Sequence, residues 1–453
     1  MPLNRRRFIA ASLGGAACAL AHAGEPPARK PNFLILLTDD HGTDDAGCYG
    51  NPAVRTPNLD KLAAQGLRFT RAFTPTAMCA PSRSALYTGL FPRRNGAHPN
   101  HSKVRPGITS LPHYLSKLGY RVALAGKTHI GPRDAFPFEY MAQGGVDAFL
   151  AKAGQQPFCL VVATNDPHAP WKKQGPGDPA KVLIPPYLVD TPETRQAMAL
   201  YYNSVAAMDA QVGQVMGALD RHGLADNTLL LYASDNGSGF AFTKWTLYDA
   251  GIRMPFVVRW PGRVQAGTVT DAMVSFVDVL PTFVEAAGQK PQDDLDGRSF
   301  LAVLDGKAKA HRDAIFATHT NLGIISGSEY PIRAIRSKTH KYIVNLNASG
   351  KFTNIVTEGR GKAKAKAKED DEEGGAAYWL SWRERAKADP KVAERVRLYQ
   401  HRPAEELYDV AADPFELNNL AADPAHKPLI ADLRQQLKAW MKQQNDPLLA
   451  TMG

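Results

Sequence analysis

The stretch Asn32-Phe33-Leu34-Ile35-Leu36-Leu37-Thr38-Asp39-Asp40 contains five consecutive apolar residues and ends in two adjacent aspartates. A run this continuous is typical of a strand that is buried on both faces, as in a parallel sheet. Polar residues that follow such a strand lie at the carboxyl edge of the sheet, where α/β proteins bind ligands. The stretch therefore predicts an α/β fold and places Asp39 and Asp40 at a candidate site.

Short apolar runs alternate with segments of helical periodicity through most of the chain, which favours a three-layer α/β domain with a mostly parallel central sheet. The pattern loosens after about residue 312, so we predict a main domain over residues 24–312 and a smaller α+β subdomain over 313–453. The expected strands are 122–125, 158–163, 229–232, 314–318, 331–336 and 341–346, and the expected helices are 58–65, 110–118, 201–219, 379–390 and 426–443.

The composition of the chain is that of a globular protein. Its 453 residues are 44% hydrophobic and 22% charged, which excludes disordered, collagenous and membrane-embedded classes. Four cysteines, at positions 18, 48, 79 and 159, form no C-x-x-C pair, so a disulfide scaffold and a structural zinc site are not expected. Whether Cys48 and Cys159 pair with each other is left open by the sequence.

The N-terminus predicts a twin-arginine signal peptide over residues 1–23. Arg5-Arg6-Arg7-Phe8-Ile9 precedes an uncharged stretch, and Ala21-His22-Ala23 has the small-x-small form of a cleavage site. The segment is too short to be a permanent membrane span. We therefore expect export by the twin-arginine machinery of a bacterium, to the periplasm or beyond. Removing the segment leaves 51 basic against 44 acidic residues, a balance compatible with a polyanionic substrate.

A charged segment interrupts the C-terminal subdomain. Lysine and alanine alternate over residues 362–368, and five acidic residues follow at 369–373. Blocks of one charge sign are usually solvated. We predict a mobile loop near residues 360–375.

A second acidic cluster, Ser234-Asp235-Asn236-Gly237, directly follows the predicted strand 229–232. Adjacent carboxylates such as Asp39 and Asp40 repel each other and are best tolerated around a hard divalent cation, and aspartate and asparagine oxygens suit Ca²⁺ or Mg²⁺. These residue types are also common in turns and helix caps, so either cluster alone leaves a capping role open.

Cys79-Ala80-Pro81-Ser82-Arg83 begins a predicted helix whose N-terminal N–H groups favour an anion. Taken alone, it also fits a buried cysteine before a proline-started helix. C-x-P-S-R is, however, the signature of the formylglycine-dependent sulfatases. The chain resembles that family in the same order at residues 32–40, 56–73, 126–131, 166–170, 235–237 and 244–255, which implies the alkaline-phosphatase-like fold.

The resemblance also implies a mechanism. In this family a maturation enzyme oxidises the cysteine to formylglycine, and one hydroxyl of its hydrate attacks sulfur while the leaving group departs, which gives a sulfated intermediate. The second hydroxyl then loses its proton, which expels sulfate and restores the aldehyde. Arg83 and Lys127 would stabilise the diol and the sulfate oxygens, His129 would be the base, and His168 and Lys244 would lie on the leaving-group side. One Ca²⁺ would be held by Asp39, Asp40, Asp235, Asn236 and the formylglycine derived from Cys79.

Two segments resemble the heparan N-sulfatase branch of the family. They are Lys127-Thr128-His129-Ile130-Gly131-Pro132 and Tyr330-Pro331-Ile332-Arg333-Ala334-Ile335-Arg336. They predict removal of the N-sulfate of glucosamine from a heparan or heparin oligosaccharide, where His168 would protonate the leaving amine. The alternatives are a glycan O-sulfatase, a phosphonate or phosphate ester hydrolase, and a non-catalytic binder of sulfated glycans.

Other motifs are not supported. Gly126-Lys127-Thr128 suggests a phosphate-binding loop, but Arg121 stands where that motif requires a glycine. The sequence contains neither G-x-S-x-G nor H-E-x-x-H, and we expect no nucleic-acid partner. Asp249-Ala250-Gly251 departs from the Glu-Gly-Gly of the sulfatases, a change that we expect to alter packing only.

Overall fold

The computed structural model describes residues 29–154, 156–359 and 376–452 and contains a large and a small β-sheet. The predicted signal peptide and the charged segment near 360–375 lie outside these residues. The strands of the large sheet are β1 (Asn32–Asp39), β2 (Leu67–Phe73), β3 (Arg121–Gly126), β4 (Glu139–Met141), β5 (Phe158–Pro167), β6 (Thr228–Ser234), β7 (Arg253–Arg259), β8 (Thr268–Thr270) and β9 (Val274–Ser275).

The large sheet has the order β4-β3-β5-β1-β6-β7-β2-β8, with β9 also paired to β2. β7 runs antiparallel to its neighbours β6 and β2, and the other pairs are parallel. The predicted α/β class and mostly parallel sheet are therefore confirmed.

Helices cover both faces of this sheet. They are α1 (Pro57–Ala64), α2 (Cys79–Thr88), α3 (Pro92–Asn95), α4 (Leu111–Lys117), α5 (Val146–Ala151), α6 (Pro192–Arg221), α7 (Asp249–Ile252), α8 (Val279–Ala286) and α9 (Leu301–Leu304). Leu34 and Leu36 of β1 pack in the apolar cluster that contains the inner face of α6, whereas Phe33, Ile35 and Leu37 pack in the cluster that contains α8. Alternate side chains of one strand thus enter different layers, which explains its unbroken apolar run.

Helix α6 begins nine residues before the predicted start at residue 201. Thr191 caps it, because its hydroxyl accepts a hydrogen bond from the Thr194 N–H at 3.1 Å, and Pro192 occupies the first helical position. The apolar periodicity after residue 201 did not reveal this first part of the helix. No helix among the described residues is both long and apolar enough to cross a membrane.

The small sheet is antiparallel, with the order β10 (Ala314–His319), β11 (Ile332–Ser337), β12 (His340–Asn345) and β13 (Glu405–Asp409). The remaining helices are α10 (Ile355–Glu358), α11 (Ala376–Arg385), α12 (Pro390–Gln400) and α13 (Lys427–Gln443). The α+β character of the subdomain is confirmed, but β13 and α12 were not predicted. The helix expected at 379–390 ends at Arg385, because Pro390 starts a new helix capped by Asp389. The domain boundary at residue 312 stays a prediction.

The topology brings the two acidic clusters together. β1 and β6 are parallel neighbours, and Thr38 is in register with Ser234. The residues that follow these two strands therefore meet at the carboxyl edge of the sheet, the usual position of a ligand site in an open α/β fold.

Candidate active site

Cys79 is the first residue of α2, at the helix N-terminus that faces this edge of the sheet, and is buried. Ser82, one turn further along the helix, fixes the position of α2. Its hydroxyl accepts a hydrogen bond from the Thr74 hydroxyl at 2.7 Å and donates one to the carbonyl oxygen of Asp235 at 2.5 Å. The C-x-P-S-R motif thus joins the nucleophile position to the loop after β6.

Four acidic or thiol groups surround one point at the sheet edge. One ligand atom from each of Asp39, Asp40, Cys79 and Asp235 lies within 4.8 Å of the others, and all four residues are buried. The Asn236 amide nitrogen donates to Asp40 Oδ1 at 2.6 Å, whereas the Oδ1 of Asn236 is buried and has no hydrogen-bond partner among the described residues. An unpaired amide oxygen beside three carboxylates is the donor set that a hard cation such as Ca²⁺ prefers, so these residues fit the expected ion.

The loop that carries Asp40 is held in a strained conformation. Asp40 has a φ of 64°, in the left-handed region that non-glycine residues rarely adopt. The Tyr201 hydroxyl donates to its carbonyl oxygen at 3.0 Å, and the N–H of His41 donates to the Ser234 hydroxyl at 2.8 Å. Strain of this kind persists only where neighbouring elements enforce it, and it is frequent at functional sites.

His41 itself is a structural group. Its ring lies between the Tyr232 hydroxyl at 2.7 Å and the carbonyl oxygen of Asp45 at 2.9 Å. Burial lowers the pKa of His41 to about 4, so the ring is neutral near physiological pH. It braces the aspartate loop between β6 and the following turn.

Three cations balance the three carboxylates. Arg83 Nε lies 2.8 Å from Asp235 Oδ2, Lys244 Nζ lies 2.7 Å from Asp40 Oδ1, and Lys127 forms an ion pair with Asp39. Burial and the neighbouring Asp40 oppose ionisation of Asp39, but Arg83 and Lys127 outweigh them and lower its pKa. Since the protein charges cancel, a bound divalent cation would leave the site positive and suited to an anionic substrate.

Two histidines occupy the more open side of the site. His168 Nε2 lies 3.8 Å from Asp40 Oδ2, and 40% of its side chain is exposed. His129, which has a φ of 49°, contacts His101 through an Nε2–Nδ1 hydrogen bond of 2.7 Å, while its own Nδ1 is buried without a partner. Burial, with help from Lys127 and His101, lowers the pKa of His129 to about 3, so its ring is neutral near physiological pH.

The structure therefore brings together every site residue named from the sequence. His101 and Asn100, which the sequence analysis missed, also belong to this region, since the side-chain oxygen of Asn100 accepts from the N–H of Ala80 at 3.3 Å. Both lie in a loop without regular secondary structure, and the only available signal was the polar run His98-Pro99-Asn100-His101.

The three described cysteines are all unpaired. Burial, reinforced by the charge of Asp39 whose Oδ1 is 3.4 Å from the sulfur, raises the pKa of the Cys79 thiol well above its usual value. The unmodified residue is therefore a neutral thiol and a poor nucleophile. Cys159 is completely buried in β5. Cys48 and Cys159 are free thiols and form no disulfide with each other.

A helix N-terminus, clustered carboxylates and buried cations meet at the carboxyl edge of a parallel sheet, an arrangement that could hold a metal ion beside an anionic group. The chain belongs to the sulfatase family, whose model matches residues 31–150 and 139–289. A second model, described as the C-terminal part of N-sulphoglucosamine sulphohydrolase, matches residues 237–353. The protein is accordingly a sulfate ester hydrolase by family, and sulfatases generally use a formylglycine and a metal ion.

Individual relatives agree with this assignment. The chain is 34% identical to an ulvan-active sulfatase of Formosa agariphila, over 93% of this chain and 82% of the relative. It is 31% identical to human N-sulphoglucosamine sulphohydrolase, over 95% of this chain and 94% of the relative. A protein solved with its substrate D-glucosamine-2-N,6-O-disulfate has the same fold, with a TM-score of 0.70, 20% identity, and coverage of 92% of this chain and 99% of that chain.

Proposed function

We propose that this protein is an exported sulfatase that removes the N-linked sulfate from glucosamine at the end of a heparan-type oligosaccharide. The main support for this proposal is the match of residues 237–353 to the C-terminal model of N-sulphoglucosamine sulphohydrolase. It is supported by the human relative, which this chain matches over 94% of its length. Sulfatase families share their catalytic residues, so a match that extends into the C-terminal subdomain is more specific evidence than the common site.

Part of the support for the N-sulfatase proposal reflects common ancestry with the N-sulfatases rather than contact with the substrate. Residues 330–336, which resemble the N-sulfatase branch, include most of the buried strand β11, and Arg333 in this segment pairs with Asp446 instead of an active-site residue. This segment therefore relates the chain to N-sulfatases without determining which sulfate group of the substrate is removed.

Cys79 is the proposed nucleophile position after oxidation by a maturation enzyme. A hydrated formylglycine supplies a hydroxyl nucleophile that the neutral, buried thiol does not. The N-terminus of α2 and the two terminal nitrogens of Arg83, which make no hydrogen bond with the described residues, supply N–H donors beside it. Donors fixed in this way stabilise negative charge that develops on sulfate oxygens.

Asp39, Asp40, Asp235 and Asn236 would hold one Ca²⁺ together with the oxygen at position 79. The ion would supply positive charge that neutralises the sulfate group. Lys127 and Lys244 each pair with one of these aspartates, so they add fixed positive charge on two sides of the same point.

The histidines have separate proposed roles. His129, with one ring nitrogen unpaired, accepts the proton that is lost when the sulfated intermediate breaks down. His168 donates a proton to the departing amine, because its half-open ring faces the solvent side of Asp40, whereas Lys244 is buried in its ion pair. An amine leaving group needs this proton more than a phenol does.

A glycan O-sulfatase is the second candidate, favoured by the 34% identity to the ulvan-active relative. One experiment separates the two. Matured protein is incubated with a heparan oligosaccharide that carries both N- and 6-O-sulfate, and NMR with free-sulfate analysis reports which group is lost. Loss of the N-sulfate alone supports the proposal, and loss of the O-sulfate alone sinks it while leaving the sulfatase assignment intact.

The remaining alternatives are tested in the same preparation. A phosphonate or phosphate ester hydrolase would cleave aryl phosphonates faster than matched aryl sulfates. A non-catalytic binder would release no sulfate. Its function would consist of glycan binding alone, and Cys79→Ala would leave that binding unchanged.

A further inference from the structure

A cleft of about 570 Å³ lies in the C-terminal subdomain, outside the active-site cluster. Helix α12 forms one wall with Lys391, Arg395 and Arg397, and His401 and Arg402 follow directly after the helix. The volume lies within the range of about 300–1,000 Å³ that is typical of ligand sites. Among the described residues its lining is strongly basic, with Glu394 as the single acidic side chain.

Most of this positive charge is not neutralised by the described part of the chain. Arg397 is paired with Glu394 at 2.6 Å. Lys391, Arg395 and Arg402 make no ion pair with any described residue; Arg395 instead lies over the ring of Phe242 at 5.3 Å. Three cations beside one cavity repel each other, so the cleft favours an anion.

Arg402 is the most informative of the three. It is 3% exposed, and its Nε and Nη2 atoms are buried without a hydrogen-bond partner in the described part of the chain. Its guanidinium lies 4.2 Å from the centre of the Phe352 ring and within 6.0 Å of Tyr248, Tyr330 and Tyr399. Aromatic faces stabilise a cation but accept no conventional hydrogen bond from its edge, so these two donors of Arg402 are left unsatisfied by the described residues.

The buried Glu406 of strand β13 does not form a hydrogen bond with Arg402. Glu406 Oε2 accepts hydrogen bonds from the hydroxyls of Tyr248 at 2.7 Å and Tyr408 at 2.6 Å, and its Oε1 accepts from the Asn345 amide at 2.6 Å. Each carboxylate oxygen is thus already engaged. A buried guanidinium with unused donors normally has an anion or ordered water as its partner.

We propose that this cleft is a second anion-binding site, which holds a sulfate or carboxylate group of the substrate glycan at a distance from the sulfate that reacts. The inference rests on the proposed function in taking a sulfated glycan as the ligand. Tyr248, whose ring lies under Arg402, is only four residues from Lys244 at the active site. A chain of four residues spans at most about 14 Å, so the backbone that carries Tyr248 lies within that distance of the backbone that carries Lys244.

The test measures binding in the Cys79→Ala background, where no substrate is consumed. Calorimetry compares the parent with Lys391→Gln/Arg395→Gln for a heparin hexasaccharide, N-sulfoglucosamine monosaccharide and inorganic sulfate. We expect the double variant to bind the hexasaccharide about tenfold more weakly, equivalent to about 1.4 kcal/mol, and the monosaccharide equally well. Arg402→Lys, which retains the charge but not the planar donors, should lower hexasaccharide affinity by a smaller factor.

Lys309→Gln is the matched control, because it removes one positive charge from an exposed residue outside the cleft. It should leave hexasaccharide affinity within twofold of the parent, and thermal unfolding should verify that all variants are folded. Equal hexasaccharide affinity in the parent and the double variant overturns the proposal. If the double variant loses affinity only for inorganic sulfate, the cleft binds the free ion, and this result also overturns the proposal.

Failure of the proposed function would look different. It would appear as the absence of N-sulfate release by matured protein with an intact Cys79, whereas the cleft is tested by binding to protein that cannot turn over. The catalytic prediction for the cleft variants is a several-fold higher KM for the hexasaccharide, with an unchanged kcat and unchanged hydrolysis of the monosaccharide.

Discussion

Arg83 and Arg333 are both completely buried, yet their guanidinium groups are satisfied to very different degrees. Arg333 binds Asp446 through two hydrogen bonds, of 2.5 and 3.0 Å, and its remaining terminal nitrogen donates to the carbonyl oxygens of His319 and Ile332. Among the described residues Arg83 makes one hydrogen bond, to Asp235, and its two terminal nitrogens make none, although Nη2 lies 3.9 Å from Asp39 Oδ1.

This difference in hydrogen bonding distinguishes a buried charge that supports the fold from a buried charge that serves the active site. Burying an ion pair is tolerated when every donor is satisfied, and Arg333 meets this condition inside the small sheet. Arg83 leaves donors unused beside Cys79, in a region where Asp40 and His129 also adopt left-handed backbone conformations. Unused donors and backbone strain are costs that a purely structural site would not retain.

Removal of calcium should have the largest effect, because it acts on only one of the two regions. Chelation should abolish sulfate release, and added Ca²⁺ should restore it. At a calcium concentration a hundredfold above its Kd, binding should also stabilise the fold by about 2.7 kcal/mol, seen as a higher Tm. The Arg333 region serves as the control: the loss of Tm caused by Asp446→Asn should be the same with and without chelator. Full activity in metal-free protein would contradict the site.

Conservative substitution of the two arginines should sharpen the contrast. Arg83→Lys keeps the charge but loses the planar donors, so kcat should fall about 10²–10³-fold. Arg333→Lys should lower the free energy of unfolding, by up to about 3–5 kcal/mol, while the folded fraction retains its kcat. Denaturant titration and steady-state kinetics on both variants measure these effects. An Arg333→Lys protein that is stable but inactive would reverse the assignment.

Replacing His168 should have a smaller effect that depends on the leaving group. His168→Gln removes the proposed proton donor, so N-sulfate hydrolysis should fall about 10²-fold. Hydrolysis of an aryl sulfate with an acidic phenol should fall much less, since that leaving group needs no proton. His222→Gln, at a histidine paired with Asp147 on the surface, is the control and should retain full activity. An equal loss on both substrates would remove His168 from the leaving-group side.

The pH dependence of stability should show the smallest effect. Burial opposes ionisation of Asp446, but its hydrogen bonds and the charge of Arg333 outweigh burial and lower its pKa. A lowered native pKa contributes stability above the unfolded value, about 3.9, and this contribution is lost as the pH falls through the native pKa. The stability gap between the parent and Asp446→Asn should therefore be full at pH 7 and shrink below about pH 4. A gap that is constant from pH 7 to pH 3 would contradict the ionised pair.

The cluster of carboxylates at the candidate metal site was predictable because its residues follow two recognisable strands, and neighbouring parallel strands end at the same edge. His101 and Asn100 were not, since a loop has no periodicity that would direct their side chains toward Cys79. The same limit applies to Arg402, whose aromatic surroundings come from Tyr248, Tyr330, Phe352 and Tyr399 in separate segments of the chain.

Local signals also misplaced some elements of the fold. Helix α12 was missed because the expected helix ran as far as Pro390, which begins a second helix. β13 was missed because its pairing with β12 joins residues more than 60 positions apart. The 330–336 segment indicated a substrate branch, which stays a prediction, and in the structure its Arg333 forms an ion pair with Asp446.

The central claim is that catalysis depends on formylglycine at position 79, and one measurement tests it directly. Preparations expressed with different amounts of maturation enzyme are digested with trypsin, and mass spectrometry gives the fraction of the 72–83 peptide that carries an aldehyde in place of the thiol. The rate of sulfate release should be proportional to that fraction and zero in Cys79→Ala, whereas Cys48→Ala should remain active. Sulfate release from protein whose Cys79 is wholly unmodified would contradict the account.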